Sequence, residues 1–135
     1  MASRAHQFIV DLLARRMYID GYEVVSFDGL SETEHILSTL PPTIKRHRPD
    51  VVGIKKNYLA IGEAKTAKDL GNRTHEQIED YVNCSKELTH EKLKIYLGVP
   101  ESIQVQTKAI INSINGTDTV TLLTIPDRLL PHDHD

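Results

Sequence analysis

Residues 50–54 and 58–66 are two short segments rich in side chains that favour β-strands, and only three residues separate them. This pattern predicts two strands joined by a tight hairpin. If Lys56 and Asn57 form the turn, Asn57 is the residue that tolerates the positive φ such turns require. An isolated hairpin is barely stable in water. We therefore expect this hairpin to be the centre of a larger sheet.

Helical and strand-like patterns alternate on both sides of the hairpin. Apolar residues at three- and four-residue spacing predict helices, and short β-rich runs predict strands. The predicted order is helix 4–19, strand 22–27, helix 31–40, the hairpin, helix 74–88, strand 93–99, helix 100–115 and strand 119–125. This order predicts an α/β fold with a mixed central sheet flanked by helices. A chain of 135 residues suits one domain, residues 1–125, followed by a flexible tail, residues 126–135.

The hairpin register places two carboxylates side by side. With a two-residue turn, Asp50 lies opposite Glu63, and directly opposed residues have Cβ atoms roughly 4.5–5.5 Å apart. Lys65 follows on the same strand face. Like charges in this position destabilise a sheet unless a cation neutralises them, and oxygen ligands favour a hard ion such as Mg²⁺. The alternative is that Glu63 and Lys65 form a solvated face or a structural ion pair.

Pro49-Asp50 is followed, after twelve residues, by Glu63-Ala64-Lys65. This spacing resembles the signature of the PD-(D/E)xK nuclease superfamily, whose members share a restriction-endonuclease-like fold with an α-β-β-β-α-β core. The resemblance implies that Asp50 and Glu63 bind a divalent metal, Mg²⁺ with Mn²⁺ as a substitute. It also implies that the Ala64 carbonyl is a further metal ligand. Lys65 would then orient or deprotonate the attacking water.

Gln77 and Tyr81 are four residues apart on the helix predicted after Lys65. This spacing is similar to the Q-x-x-x-Y element of the subgroup that contains recombination-type exonuclease domains. The resemblance implies that Gln77 belongs to the catalytic machinery and that Tyr81 contacts DNA. The alternatives are that Gln77 completes a capping box with Thr74 and that Tyr81 packs in the core.

Many members of the superfamily carry a metal-binding Glu on the first helix, and residues 1–19 contain none. His6 is the candidate replacement, since the exonuclease-type subgroup often has a His at this place. Its spacing puts it at the end of the apolar stripe of the helix. Asp11 is the second candidate, although it points away from that stripe. The alternative for His6 is an ordinary core histidine.

The formal net charge of −3 by itself argues against a nucleic-acid partner. Residues 45–73, however, contain eight Lys and Arg against three acidic residues, a local charge of +5 around Asp50 and Glu63. Such a segment predicts binding to the phosphate backbone. The candidate DNA-binding residues are Arg48, Lys55, Lys56, Lys68, Arg73 and, through the resemblance, Tyr81. The alternative is that these charges form solvated faces.

Cys84 is the single cysteine of the chain, which excludes a disulfide framework and favours the reducing cytoplasm. No apolar run approaches the roughly 20 residues of a membrane span, and no signal peptide opens the chain. The sequence therefore predicts a cytoplasmic protein without membrane contact.

These observations predict a Mg²⁺-dependent phosphodiesterase, specifically a deoxyribonuclease. We expect an endonuclease of low sequence specificity or one that acts on branched DNA, because the catalytic core occupies almost the whole chain. A homodimer through residues 101–115 and the last strand would explain cleavage of both strands. One alternative is a catalytically inactive DNA- or protein-binding module of the same fold, which the missing Glu on the first helix favours. The other is an RNA-directed nuclease.

Overall fold

The computed structural model describes residues 3–27, 40, 42–88 and 92–132. Its helices are α1 (Arg4–Ile19), α2 (Pro42–Lys45), α3 (Asn72–Glu87) and α4 (Gln104–Ser113). Its strands are β1 (Glu23–Phe27), β2 (Val51–Lys55), β3 (Tyr58–Ala64), β4 (Lys92–Pro100) and β5 (Val120–Ile125). Short 3₁₀ turns are Ala67–Asp69, Glu101–Ile103 and Asp127–Leu129. The helix predicted over 31–40 lies outside the described residues, apart from Leu40.

The described strands form one mixed sheet in the order β1-β2-β3-β4-β5. The first three strands are antiparallel neighbours, whereas β3, β4 and β5 are parallel. Parallel neighbours need a crossover connection, and α3 and α4 supply these two crossovers. The predicted α/β class with a mixed sheet flanked by helices is therefore confirmed. The order of the elements is α1-β1-α2-β2-β3-α3-β4-α4-β5. None of the described helices is both long enough and apolar enough to cross a membrane.

The β2–β3 hairpin has the register that the sequence predicted, with Val52 paired to Ile61. The turn differs in one detail. Positive φ occurs at Lys56 (47°) rather than at Asn57. The reason is that both favoured two-residue hairpin turns require positive φ at their first residue, whichever side chain stands there.

Apolar side chains cover both faces of the sheet. On one face lies α1, whose residues Ile9, Leu13 and Met17 are fully buried. On the other lies α3, whose residues Ile78 and Val82 pack against one face of β4. The β4 residues in this cluster are the alternating set that the sequence predicted, Leu93, Ile95, Leu97 and Val99. Each such buried side chain contributes about 1.5–3 kcal/mol, so β3 and β4 are firmly held between the two layers.

Gly98 allows α1 to lie close to the sheet. A Cβ atom at this position would be 2.6 Å from Cγ2 of Ile9 and 3.2 Å from Cδ2 of Leu13. We expect Gly98→Ala to lower the free energy of unfolding by about 1–3 kcal/mol, the usual cost of overpacking, as measured by urea denaturation. In the comparison variant Gly62→Ala, the nearest atom to the new Cβ is the flexible end of Met17, so the loss should be smaller. Equal losses in the two variants would contradict this explanation.

The start of α3 differs from the prediction. Its first residue is Asn72 and its N-cap is Gly71, which makes no side-chain capping bond. Thr74 therefore lies inside the first turn, and its hydroxyl donates to the Asp69 carbonyl oxygen at 2.7 Å. The predicted capping box of Thr74 and Gln77 is wrong, because Thr74 does not occupy the N-cap position.

The segment after β5 contacts the domain in its described part. The Asp127 carboxylate accepts hydrogen bonds from the N–H (2.9 Å) and the hydroxyl (2.7 Å) of Ser102. Leu130 packs against the apolar cluster beneath α1. These contacts fasten residues 127–130 to the domain, within the segment for which the sequence predicted a flexible tail.

Candidate active site

Asp50 and Glu63 lie side by side at the open end of the β2–β3 hairpin. The last pair of the ladder is Val51–Gly62, and the two acidic residues occupy the next position on each chain segment. There the Ala64 N–H donates to Oδ2 of Asp50 at 2.9 Å, which holds the Asp50 carboxylate beside the residue that follows Glu63. The structure therefore brings together the two carboxylates that the sequence predicted to face each other.

Glu63 is an ionisable residue in the protein interior, with 3% of its surface exposed. Burial and the charge of Asp50 raise the pKa of Glu63 well above its ordinary value, although Lys65 and a hydrogen bond from Tyr81 act in the opposite direction. Two adjacent carboxylates cannot both be charged at low cost without a compensating cation. The pair is therefore stabilised by a proton, by a cationic neighbouring side chain or by a bound metal ion.

Tyr81 and Gln77 support Glu63 from α3. The Tyr81 hydroxyl donates to Oε1 of Glu63 at 2.7 Å, and Nε2 of Gln77 donates to the Tyr81 hydroxyl oxygen at 3.3 Å. Residues four apart share one face of a helix, so both side chains point toward the hairpin. Gln77 reaches the cavity described below, but Tyr81 is fully buried. The prediction that Tyr81 contacts DNA is therefore wrong, because DNA cannot reach a side chain enclosed by the core.

His6 contacts Asp50. Ser3 is the N-cap of α1 and its hydroxyl accepts from the His6 N–H at 3.0 Å, which places His6 in the first turn of the helix. Nε2 of His6 is 3.3 Å from Oδ2 of Asp50. Asp11, the second candidate on this helix, is exposed. His6 thus contacts a candidate metal ligand, and metal binding by His6 itself stays a prediction.

A cavity of about 340 Å³ lies over the two carboxylates. The residues that line it are His6, His47, Arg48, Asp50, Glu63, Ala64, Lys65, Asp69, Arg73, Thr74 and Gln77. Its volume is within the range of small-molecule sites. Acidic groups and basic groups therefore share one space that is large enough for a phosphodiester group.

Two of the predicted DNA-binding residues, Arg48 and Arg73, line this cavity together with Lys65. Arg48 has a positive φ of 49° directly before Pro49, a conformation that is rare for L-residues and further disfavoured before proline. Strained backbone of this kind is concentrated at functional sites. Lys68 is exposed in the 3₁₀ turn after β3 and is not among the lining residues. The positive wall of the cavity therefore consists of Arg48, Lys65 and Arg73.

Lys55 and Lys56 lie at the opposite end of the hairpin from the carboxylates. Glu63 is five positions along β3 from Tyr58, or roughly 17 Å at the rise of a strand. The Lys55 ammonium donates to the Asp20 carbonyl oxygen at 2.9 Å and lies 5.7 Å from the centroid of the Tyr58 ring. These two lysines are not part of the cavity, and contact between them and DNA stays a prediction.

Sequence reasoning did not single out two residues of the cavity wall, His47 and Asp69. Asp69 accepts hydrogen bonds from the N–H and the hydroxyl of Thr66, both at 2.9 Å, and so stabilises the turn after β3. His47 stands in a basic run of the sequence, and the pattern of that run indicates only positive charge. Its contact with Asp80 spans 33 residues, and no local pattern indicates such a contact.

The donor atoms suit a small hard cation. Mg²⁺ is usually held by one or two carboxylates and keeps several waters, and Asp50 and Glu63 supply such a pair, with Ala64 in the same cavity. Within the described residues, no group of three or more His, Cys, Asp or Glu side chains is arranged to hold a metal ion. The carboxylate oxygens of Asp50 and Glu63 are the kind of donor atom that Mg²⁺ and Mn²⁺ prefer.

Comparisons with known proteins do not assign a family. No protein-family model matches the chain, and no curated protein or solved structure is significantly similar to it. The likeness to PD-(D/E)xK nucleases therefore depends on the motif and on the arrangement of its residues in space.

Proposed function

We propose that this protein is a metal-dependent nuclease of the PD-(D/E)xK type that hydrolyses DNA phosphodiester bonds. The observation that carries the proposal is that Asp50 and Glu63 follow the last pair of the hairpin ladder and line one cavity together with Lys65. Two adjacent like charges, one of them on the buried Glu63, lower stability, and a bound cation would remove that cost. A cation next to basic side chains is the arrangement that phosphate chemistry requires.

The cavity residues have separate roles in this proposal. Asp50 and Glu63 would hold Mg²⁺ or Mn²⁺, which when bound stabilises charge on phosphoryl oxygens and lowers the pKa of water. Lys65 orients or deprotonates the attacking water. Arg48 and Arg73 bind the phosphate, since a guanidinium group donates two parallel hydrogen bonds to its oxygens.

The substrate we propose is DNA cut internally, with low sequence specificity or at branched structures. Every described helix and strand belongs to the central sheet or to the layers that cover it, so no described element stands apart as a module for reading sequence. A cytoplasmic location accords with the buried, unbridged thiol of Cys84.

Metal-dependent cleavage is the direct test. The native protein is incubated with circular duplex, single-stranded and four-way-junction DNA and with matched RNA, in Mg²⁺, Mn²⁺ or EDTA. We expect the metals to support cutting of DNA, including closed circles without ends, and EDTA to stop it. A failure to cut any of these substrates would overturn the proposal, and a preference for RNA would replace its substrate.

The contact between His6 and Asp50 favours a second candidate, a catalytically inactive DNA- or protein-binding module of the same fold. In such a module His6 would offset the Asp50 charge and no metal would be needed. DNA binding of equal strength in Mg²⁺ and EDTA, without cleavage in either, is the result that this candidate predicts.

We further propose a homodimer formed through β5. This strand lies at an edge of the described sheet, and its residues, Val120–Ile125, carry no charge. Uncharged edge strands readily pair with another strand, and pairing with a second copy gives a closed two-fold dimer. Sedimentation equilibrium should then show twice the chain mass of 15.2 kDa. A monomer at micromolar concentration would contradict this proposal.

Tyr81→Phe tests whether the hydrogen bond from the Tyr81 hydroxyl to Glu63 contributes to metal binding and cleavage. The variant removes the hydroxyl that donates to Glu63 and that accepts from Gln77. We expect cleavage to fall about 10–100-fold, the usual cost of losing an outer partner of a metal ligand, and calorimetry to show weaker Mn²⁺ binding. Tyr18→Phe is the matched control, because Tyr18 is 75% exposed. Unchanged Mn²⁺ affinity in Tyr81→Phe would show that the hydrogen bond does not matter to the site.

A further inference from the structure

His47 is a cavity residue that α3 holds in place. Its Nε2 is 2.6 Å from Oδ2 of Asp80, and its ring meets the Tyr81 ring edge-on at a centroid distance of 5.6 Å. Only 11% of its side chain is exposed, yet it lines the cavity. Consecutive residues of α3 thus hold two cavity groups, since Asp80 holds His47 and Tyr81 holds Glu63.

Asp80 is well suited to orient this imidazole. Arg46 donates to the same carboxylate oxygen, Oδ2 of Asp80. Burial raises the pKa of Asp80, but the hydrogen bonds from His47 and Arg46 outweigh it and hold that pKa below its ordinary value. An ionised carboxylate accepts a hydrogen bond, so Nε2 carries a proton and Nδ1 is the ring nitrogen left for a substrate. A histidine oriented by a carboxylate in this way is prepared for proton transfer.

The proposed hydrolysis needs a proton donor for the leaving oxygen. Lys65 is assigned to the attacking water, and His6 contacts Asp50. Guanidinium groups such as Arg48 do not release protons. Building on the proposed nuclease function, we propose that His47 is its general acid and protonates the oxygen that leaves phosphorus.

The proposed step is hydrolysis of a phosphodiester bond by an attacking water. A bond forms between the water oxygen and phosphorus, and the bond between phosphorus and the leaving oxygen breaks. The electron pair of the broken bond stays on the leaving oxygen, which takes the Nδ1 proton of the doubly protonated His47 ring and leaves a neutral imidazole with its proton on Nε2. The water gives up its proton through Lys65 to solvent, and His47 regains a proton from solvent.

A leaving-group substitution tests this role. His47→Ala and the native protein are compared on ordinary DNA and on DNA whose leaving oxygen, identified from the product ends, is replaced by sulfur. Thiols are far stronger acids than alcohols, so sulfur departs without a proton. We expect His47→Ala to lose about 10²–10⁴-fold on the oxygen substrate and less than about 3-fold on the sulfur substrate. His75→Ala is the matched control, since His75 lies on α3 outside the cavity lining.

An equal loss on both substrates would show that His47 only positions its neighbours, and would overturn the proposal. If thermal melts show that His47→Ala does not fold, His47→Gln and Asp80→Asn are put through the same comparison, with the same two outcomes. A native protein that cuts neither substrate would refute the nuclease function itself. If the native protein cuts both substrates and His47→Ala loses the same factor on each, only the role of His47 is refuted.

Discussion

Glu63→Gln should lose at least about 100-fold in Mg²⁺-dependent cleavage while keeping its affinity for DNA. A neutral amide is a poor ligand for Mg²⁺ compared with a carboxylate, and even outer partners of metal ligands are worth 10–100-fold. The amide oxygen can still accept the hydrogen bond from Tyr81, so the fold around the site is preserved. Arg48 and Arg73 are untouched, so binding to DNA in EDTA should match that of the native protein.

The same substitution should make the protein more stable at neutral pH. Burial and the charge of Asp50 raise the pKa of Glu63 in the folded protein above its value in the unfolded chain. Between these two values the folded state binds more protons than the unfolded state, so native stability falls as pH rises through that interval. Glutamine does not titrate and avoids this loss. We therefore expect the free energy of unfolding of Glu63→Gln at pH 7 to exceed that of the native protein.

Urea denaturation at pH 5 and pH 7, beside cleavage assays, measures both effects. The stability of Glu63→Gln should depend less on pH than that of the native protein, and added Mg²⁺ should stabilise only the native protein. Glu79→Gln is the matched control, because Glu79 is exposed on α3. A Glu63→Gln protein that is less stable at pH 7, or that still cuts DNA, would contradict the role assigned to Glu63.

The parts of the fold that could be predicted are those with local signals. Alternating side chains and a short turn determine the β2–β3 register, and that register alone brings Asp50 opposite Glu63. The same alternation identified the apolar residues that share one face of β4. Hydrophobic spacing located α1 and α3 to within two residues.

The remaining features depend on contacts between residues far apart in the chain. The pattern of Thr74 and Gln77 suggested a cap, but the Gln77 amide bonds to Tyr81, whose hydroxyl bonds to Glu63 across 18 residues. Periodicity indicates that a residue such as Tyr81 faces inward, and it does not indicate which partner the residue meets there. His47 was missed for the same reason.

Lys65→Met should lower cleavage at saturating DNA by about 10²–10⁴-fold, the range for a group that positions or transfers a proton. The residue follows the end of β3, where its N–H donates to the Gly98 carbonyl oxygen at 3.0 Å. The backbone is therefore held independently of the side chain, and methionine keeps an apolar stem in the same place. Lys86→Met, at an exposed position in the last turn of α3, is the control and should cut normally.

A metal titration at two pH values shows how Lys65 acts. Its charge lowers the pKa of Glu63, so Lys65→Met raises that pKa further and weakens metal binding at low pH. If Lys65 acted only through the pKa of Glu63, saturating Mn²⁺ at high pH would restore cleavage. Under those conditions Glu63 would be ionised and would bind the metal. If Lys65 handles the attacking water, cleavage stays low under the same conditions although Mn²⁺ is bound. We expect the second result, because Lys65 lines the cavity in which a phosphate and its attacking water would meet.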